Sequence, residues 1–161
     1  MSFTPLYLIE GVVLDSTGDS VTDSLGYKIS ALYGHFTNQE SVYPTLANGA
    51  DVVTANADWT LGAFTTVVPA DTIGQGFHVI DVNIEACNQN AVFELVLYYG
   101  GGDTECGRIR FSVVGGFWGN TRYSVDSPII AANSRIRAKA ASSDGTANQA
   151  TIQISVGYLA H

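Results

Sequence analysis

Between Phe77 and Val113 the chain holds three strand-length runs in which apolar and polar residues alternate. In the first, Ile80, Val82, Ile84 and Ala86 alternate with Asp81, Asn83, Glu85 and Cys87. Phe93, Leu95, Leu97 and Tyr99 form the apolar set of the second. In the third, Ile109, Phe111 and Val113 alternate with Arg108, Arg110 and Ser112. Successive side chains on a strand point to opposite faces, so this pattern needs a sheet with one buried and one wet face. Short Gly/Asn/Asp turns between the runs predict antiparallel connections.

Extending the same reading predicts strands over 51–55, 59–68, 77–87, 91–99, 106–114, 127–131, 134–141 and 150–158. Eight short strands at this spacing predict an all-β antiparallel sandwich or jelly roll over residues 50–161. No βαβ alternation is present, which argues against a parallel sheet. Residues 1–49 read differently, as an extended N-terminal arm. Leu6, Leu8 and Val12 to Leu14 give strand-like pieces, 15–19 reads as a loop, and 20–36 fits either a helix or a strand. Residues 42–46 read as an extended connector, since the residue before Pro44 avoids the helical region.

The chain of 161 residues carries a formal charge of −8, unevenly spread. Residues 1–107 hold 13 acidic and one basic side chain, a net of −12, and residues 108–161 a net of +4. Such a split suits self-association or a docked partner. It argues against general nucleic-acid binding, which needs a net basic footprint. Neither a secretory leader nor an apolar run of bilayer length is visible, so no membrane role is expected and the chain reads as made in the cytoplasm.

From residue 43 onward the chain resembles small jelly-roll domains on the virions of tailed bacteriophages. The residues that carry the resemblance run in order from Val42-Tyr43-Pro44-Thr45-Leu46-Ala47-Asn48-Gly49 through Trp59-Thr60-Leu61-Gly62 and Val68-Pro69-Ala70. They continue with Val82-Asn83-Ile84-Glu85, Phe93-Glu94-Leu95-Val96-Leu97-Tyr98 and Gly107-Arg108-Ile109-Arg110-Phe111. Pro128-Ile129-Ile130 with Ala132-Asn133-Ser134-Arg135-Ile136 completes the series. The resemblance implies a structural protein of the virion that decorates or reinforces the capsid or tail surface, often as a homotrimer. Its partners would be itself and the major capsid or tail protein. It would have no active site, metal or cofactor. Residues 1–49 would serve docking. The alternative is a carbohydrate- or host-receptor-binding module of a fibre.

The residues offer little for catalysis. His35, His78 and His161 lie far apart, and no serine sits in a G-x-S-x-G elbow. Gly100-Gly101-Gly102 lies between two strands and lacks the helix N-terminus of a phosphate cradle, so a hairpin loop is expected. Asp15, Asp19 and Asp23 depart from the EF-hand ligand pattern. Phe117 and Trp118, in the long 115–126 loop, are expected to plug the sandwich end, contact a neighbouring subunit or stack on a sugar. Arg135, Arg137 and Lys139 share one strand face opposite Ile136, Ala138 and Ala140, and this stripe is expected to pair with acidic side chains within the sheet or on a neighbour. Together Arg135, Arg137, Lys139, Phe117 and Trp118 form the candidate interface.

A meander of the three central runs sets Glu85 opposite Glu94, with Arg110 neutralising Glu94 from the other side. On that basis Arg110→Ala is expected to cost more than Arg137→Ala. By parity Cys87 and Cys106 face outward, too far apart for an internal bridge. Free thiols are the plain expectation, and an intermolecular disulfide through Cys87 and Cys106 the alternative.

Overall fold

The computed structural model describes residues 7–9, 12–14, 40–45, 49–118, 121–145 and 149–161, with the side chains of 7–9, 12–14 and Trp118 left aside. Two compact units are present, Met1–Gln39 and Glu40–His161. In the first, β1 (Tyr7–Ile9) and β2 (Val12–Leu14) pair antiparallel, Tyr7 opposite Leu14. The expectations for 15–19 and 20–36, and the arm's docking role, lie outside the described residues.

In chain order the second unit holds β3 (Ser41–Tyr43), β4 (Ala50–Val53), β5 (Thr65–Val68), β6 (Phe77–Cys87), β7 (Val92–Tyr99), β8 (Thr104–Val114), β9 (Phe117–Trp118), β10 (Arg122–Ser124), β11 (Ile136–Ser142) and β12 (Thr151–Ala160). Sheet I runs β10-β6-β12, with β3 and β4 both along the far edge of β12; sheet II runs β5-β11-β7-β8-β9. The antiparallel pairs β4 with β12, β5 with β11, β6 with β10 and β7 with β8 are nested, as in one long hairpin rolled up. The pairs β6 with β12 and β7 with β11 close the two sheets. That nesting is the jelly roll, a double Greek key.

The core between the sheets is one cluster. Val82, Ile84, Ile152, Ile154 and Val156 come from sheet I, and Phe93, Leu95, Leu97, Ile109, Phe111, Ile136, Ala138 and Ala140 from sheet II. Burying each large side chain contributes roughly 1.5–3 kcal/mol before entropy is counted. The alternation expected for the third central run and for the 134–141 run is present; in the second, Phe93, Leu95 and Leu97 face the core but Val96, opposite Arg108 and Lys139, is buried too.

Four expectations are corrected. The sandwich starts at Glu40, not residue 50, because β3 pairs with Val156–Tyr158 of β12. Three residues are too few to show a period. The predicted strand 59–68 is regular only from Thr65, because Trp59 takes a left-handed backbone with φ 52°. The segment before Thr65 still follows the edge of β11, through Trp59 N to Ser142 O at 2.8 Å and Gly62 N to Ala140 O at 2.9 Å. The predicted strand 127–131 lies along β6 but forms only one bridge, Phe77 to Ile130. Pro128 has no N–H to give to a ladder, and the Ser127 hydroxyl instead accepts from Val79 N at 2.8 Å. Finally, β6 and β7 are in different sheets, so Glu85 does not oppose Glu94.

Bulges explain the cysteines. Gly107 pairs with Leu97 but Glu105 with Tyr98, so Cys106 is the extra residue and turns inward, 9% exposed. In β6, Ile84 pairs with Ile154 but Ala86 with Gln153, which makes Glu85 the extra residue and turns Cys87 toward the core. A second shift at Ile80 makes Phe77 and Val79 the inward residues there. Both thiols are free, but the outward orientation expected from parity is wrong. Burial pushes the Cys106 thiol up to about 11, with Glu105 adding to it, and burial also raises Cys87. Cys106 is therefore shielded from solvent in the folded chain. At neutral pH its labelling by a maleimide should be about a hundredfold slower than that of an ordinary thiol. Unfolding in urea should equalise the two sites. Rapid, equal labelling of both in the native protein would contradict the bulge.

Candidate interaction surface

The outer face of sheet II gathers five of the seven basic residues of the chain: Arg108, Arg110, Arg135, Arg137 and Lys139. Cross-strand register places them. Arg110 lies opposite Glu94, Arg108 opposite Val96, Arg137 opposite Tyr98 and Lys139 opposite Val96. Arg110 Nη2 lies 2.5 Å from Glu94 Oε2, and Arg108 bonds Glu94 Oε1 as well as Glu105, at 2.8 and 3.0 Å. The expected Glu94–Arg110 pairing is thus present, by way of β8 alone. These hydrogen bonds, that of Arg110 foremost, hold the Glu94 carboxyl below its ordinary range.

Two of the three cations of the β11 stripe, Arg135 and Arg137, pair with Asp103 in the loop between β7 and β8. Arg137 Nε donates to Asp103 Oδ1 at 2.7 Å, and Arg135 Nη2 lies 3.5 Å from the same carboxylate. Arg135 Nε also donates to Gly100 O at 3.2 Å, so the expected glycine hairpin becomes part of the ion cluster. The ring of Phe64 lies under both Arg137, at 4.0 Å, and Lys139, at 4.2 Å, and meets Tyr98 edge-on. Arg110 sits 4.9 Å over Trp59, whose ring is half exposed. The side chain of Arg137 is 19% exposed and that of Arg110 63%. The ranking expected from the sequence is therefore reversed. Arg137→Ala should cost about 1 kcal/mol and Arg110→Ala less, as paired urea titrations would read.

Glu94 supplies a pH signature. Its folded pKa is lowered, so its contribution is complete above the ordinary carboxylate range and disappears as the pH falls through the lowered value. Glu94→Gln should cost up to about 1 kcal/mol at neutral pH and nothing once wild type is protonated too. A cost independent of pH would contradict the ion cluster.

At one end of sheet II, Gly115 and Gly116 both have positive φ and turn β8 into β9 in the manner of a type I′ hairpin. Asn90 Oδ1 accepts from Gly116 N at 3.0 Å and braces the turn. Phe117 is 82% exposed and Val114 74%, and Val114 lines a shallow groove with Val92. Phe117 is not a plug over the sandwich. Beyond Val113 and Val114 the outer edge of β8 pairs with no strand among the described residues.

The outer face of sheet I is acidic. It carries Asp51, Glu85 and a network that the sequence reading missed, Glu40–Arg122–Asp81. Asp81 is 1% exposed; Asn83 Nδ2 donates to its Oδ1 at 3.2 Å, and its Oδ2 faces Arg122 as an ion pair without an aligned hydrogen bond. The carboxylate lies over Gly157, where a Cβ would come within 2.4 Å of Oδ1. Gly157 inside an otherwise regular strand was the available signal, since such a glycine marks a close approach. At the end of this sheet His78 Nδ1 and His161 Nε2 are 2.7 Å apart with stacked rings, so two histidines far apart in sequence meet. His35 lies outside the described residues, which contain no cluster of three or more metal-ligating side chains.

No protein family matches the chain, and no curated protein does. Among solved structures it is similar to a chain in the structure of infectious bursal disease virus, Gx strain, at 15% identity and a TM-score of 0.37. The likeness covers 77% of this chain and 32% of that one, so this chain spans about a third of its length.

Proposed function

We propose that this chain is a structural virion protein of a tailed phage, attached to the capsid or tail surface by protein–protein contacts. It works as a homo-oligomer and carries out no reaction. The exposed, braced hairpin at Phe117 carries the reading. Its turn is braced by Asn90, its apolar side chains Val114 and Phe117 are exposed, and a contact that covered them would be stabilised at roughly 25 cal/mol per Å² before association costs. The jelly-roll winding and the resemblance to phage surface domains agree with it. Quantitative mass spectrometry of gradient-purified particles tests it. The chain should be present in many copies per particle, and its absence from them would overturn the proposal.

A second reading rests on the same ring, since an exposed aromatic also stacks on sugars. Phe117→Ser separates the two. It should leave folding stability within about 0.5 kcal/mol, because the side chain is exposed. Under the first reading it weakens attachment to particles; under the second it removes a signal on a glycan array instead.

A further inference from the structure

The two outer faces of the sandwich carry opposite charge. Sheet II presents five cations, and the carboxylates among them are Glu94, Asp103 and Glu105, a net of +2. The remaining two basic and twelve acidic residues of the chain make −10. Within that remainder the outer face of sheet I sets Glu40, Asp51, Asp81 and Glu85 against Arg122. The cations of sheet II also outnumber their partners. Glu94 and Asp103 are each shared by two arginines, and Lys139 has the Phe64 ring but no carboxylate among the described residues. On sheet I, Asp51 is exposed at the edge strand β4, and the exposed Glu85 accepts from Gly49 N at 2.8 Å and has no cation among the described residues.

We propose that copies of this chain dock head to tail, the basic outer face of sheet II of one copy lying on the acidic outer face of sheet I of the next. The proposal rests on the self-associating virion role above and names the surfaces that associate. Charge complementarity selects this arrangement. Sheet II on sheet II would oppose five cations to five, and sheet I on sheet I would oppose carboxylates. The half-exposed Trp59 ring and Phe64 stand among the cations and supply the apolar anchors such a contact needs. The contact is heterologous, using different surfaces on the two copies. It closes a ring when successive copies turn by an equal fraction of a circle, and otherwise runs on as a stack.

Sedimentation velocity of the full chain tests it. Association should be present at about 20 mM salt and fall at least about tenfold at 0.5 M, where the screening length drops below roughly 5 Å. Two variants each reverse one face, Lys139→Glu on sheet II and Asp51→Lys on sheet I. Both side chains are outside the core, so both variants should melt as wild type does. Each alone should associate about tenfold more weakly. An equal mixture should recover association, because the carboxylate introduced on sheet II of one variant then meets the ammonium introduced on sheet I of the other. Salt-independent association, indifference to both substitutions, or a mixture no better than its parts would overturn the proposal. A protein abundant in particles but monomeric at low salt would also overturn it, while leaving the virion role standing.

Discussion

Gly62→Ala should be among the most damaging single changes in the sandwich, costing about 3 kcal/mol. A Cβ at this position would lie 2.0 Å from Val53 O, 3.0 Å from Thr54 C and 3.1 Å from Val53 C. All three are backbone atoms, so no rotamer change relieves the overlap. The backbone they belong to is fixed in turn. Thr54 N donates to Ala150 O at 3.0 Å, and Thr54 bridges to Ala140. Gly62 is itself tied to β11 through Ala140 O. The variant must open either the edge of β4 or the segment that carries Trp59 and Phe64 across sheet II. For a chain of this size the loss corresponds to a fall of roughly 6–12 °C in melting temperature. A fall of under about 1 °C would show that the segment does not approach β4 this closely.

Arg122→Met should lower the stability of the sandwich, read as a fall in the urea midpoint. The change keeps the aliphatic stem and removes the charge that faces Asp81. A buried carboxylate that loses its counter-charge is expensive, up to about 3–5 kcal/mol when fully enclosed. The arginine itself is half exposed, at 54%, so water reaches the vacated position and the figure is reduced accordingly. The companion measurement isolates the cause. In the Asp81→Asn background no buried charge is left behind, and Arg122→Met should then cost well under half as much. Equal costs in the two backgrounds would show that Arg122 acts through Glu40 or through packing, and not through Asp81.

The sheet class was legible because Phe93, Leu95 and Leu97, then Ile109, Phe111 and Val113, then Ile136, Ala138 and Ala140 face the core at a period of two that is visible in the bare sequence. What the sequence hid is where that period slips. A single extra residue at Cys106, at Glu85 or at Ile80 reverses every later assignment of inside and outside on that strand. This is why both cysteines were assigned to the wrong face while Arg108 and Arg110 were assigned to the right one. Strand order was hidden for another reason. The four-residue turn 88–91 between β6 and β7 looks like a hairpin, yet in the jelly roll it carries the chain from one sheet to the other. Local spacing cannot distinguish the two, because the difference lies in which partner each edge finds far away in sequence.

The ionic face was half legible. The stripe Arg135, Arg137 and Lys139 and the Glu94–Arg110 pair follow from parity and register. Asp103 as the shared acceptor, and Phe64 and Trp59 as the rings beneath the cations, depend on loop paths that no period encodes. The Glu40–Arg122–Asp81 network joins residues up to 82 positions apart and left only Gly157 as a trace.

A reconstruction of the intact particle by electron cryomicroscopy tests the central claim most directly. Sandwich-shaped density should repeat over the capsid or tail surface, with the β8–β9 hairpin and its Phe117 pressed against a neighbouring protein. A particle surface without that density, or one in which every copy holds Phe117 out in solvent, would contradict it.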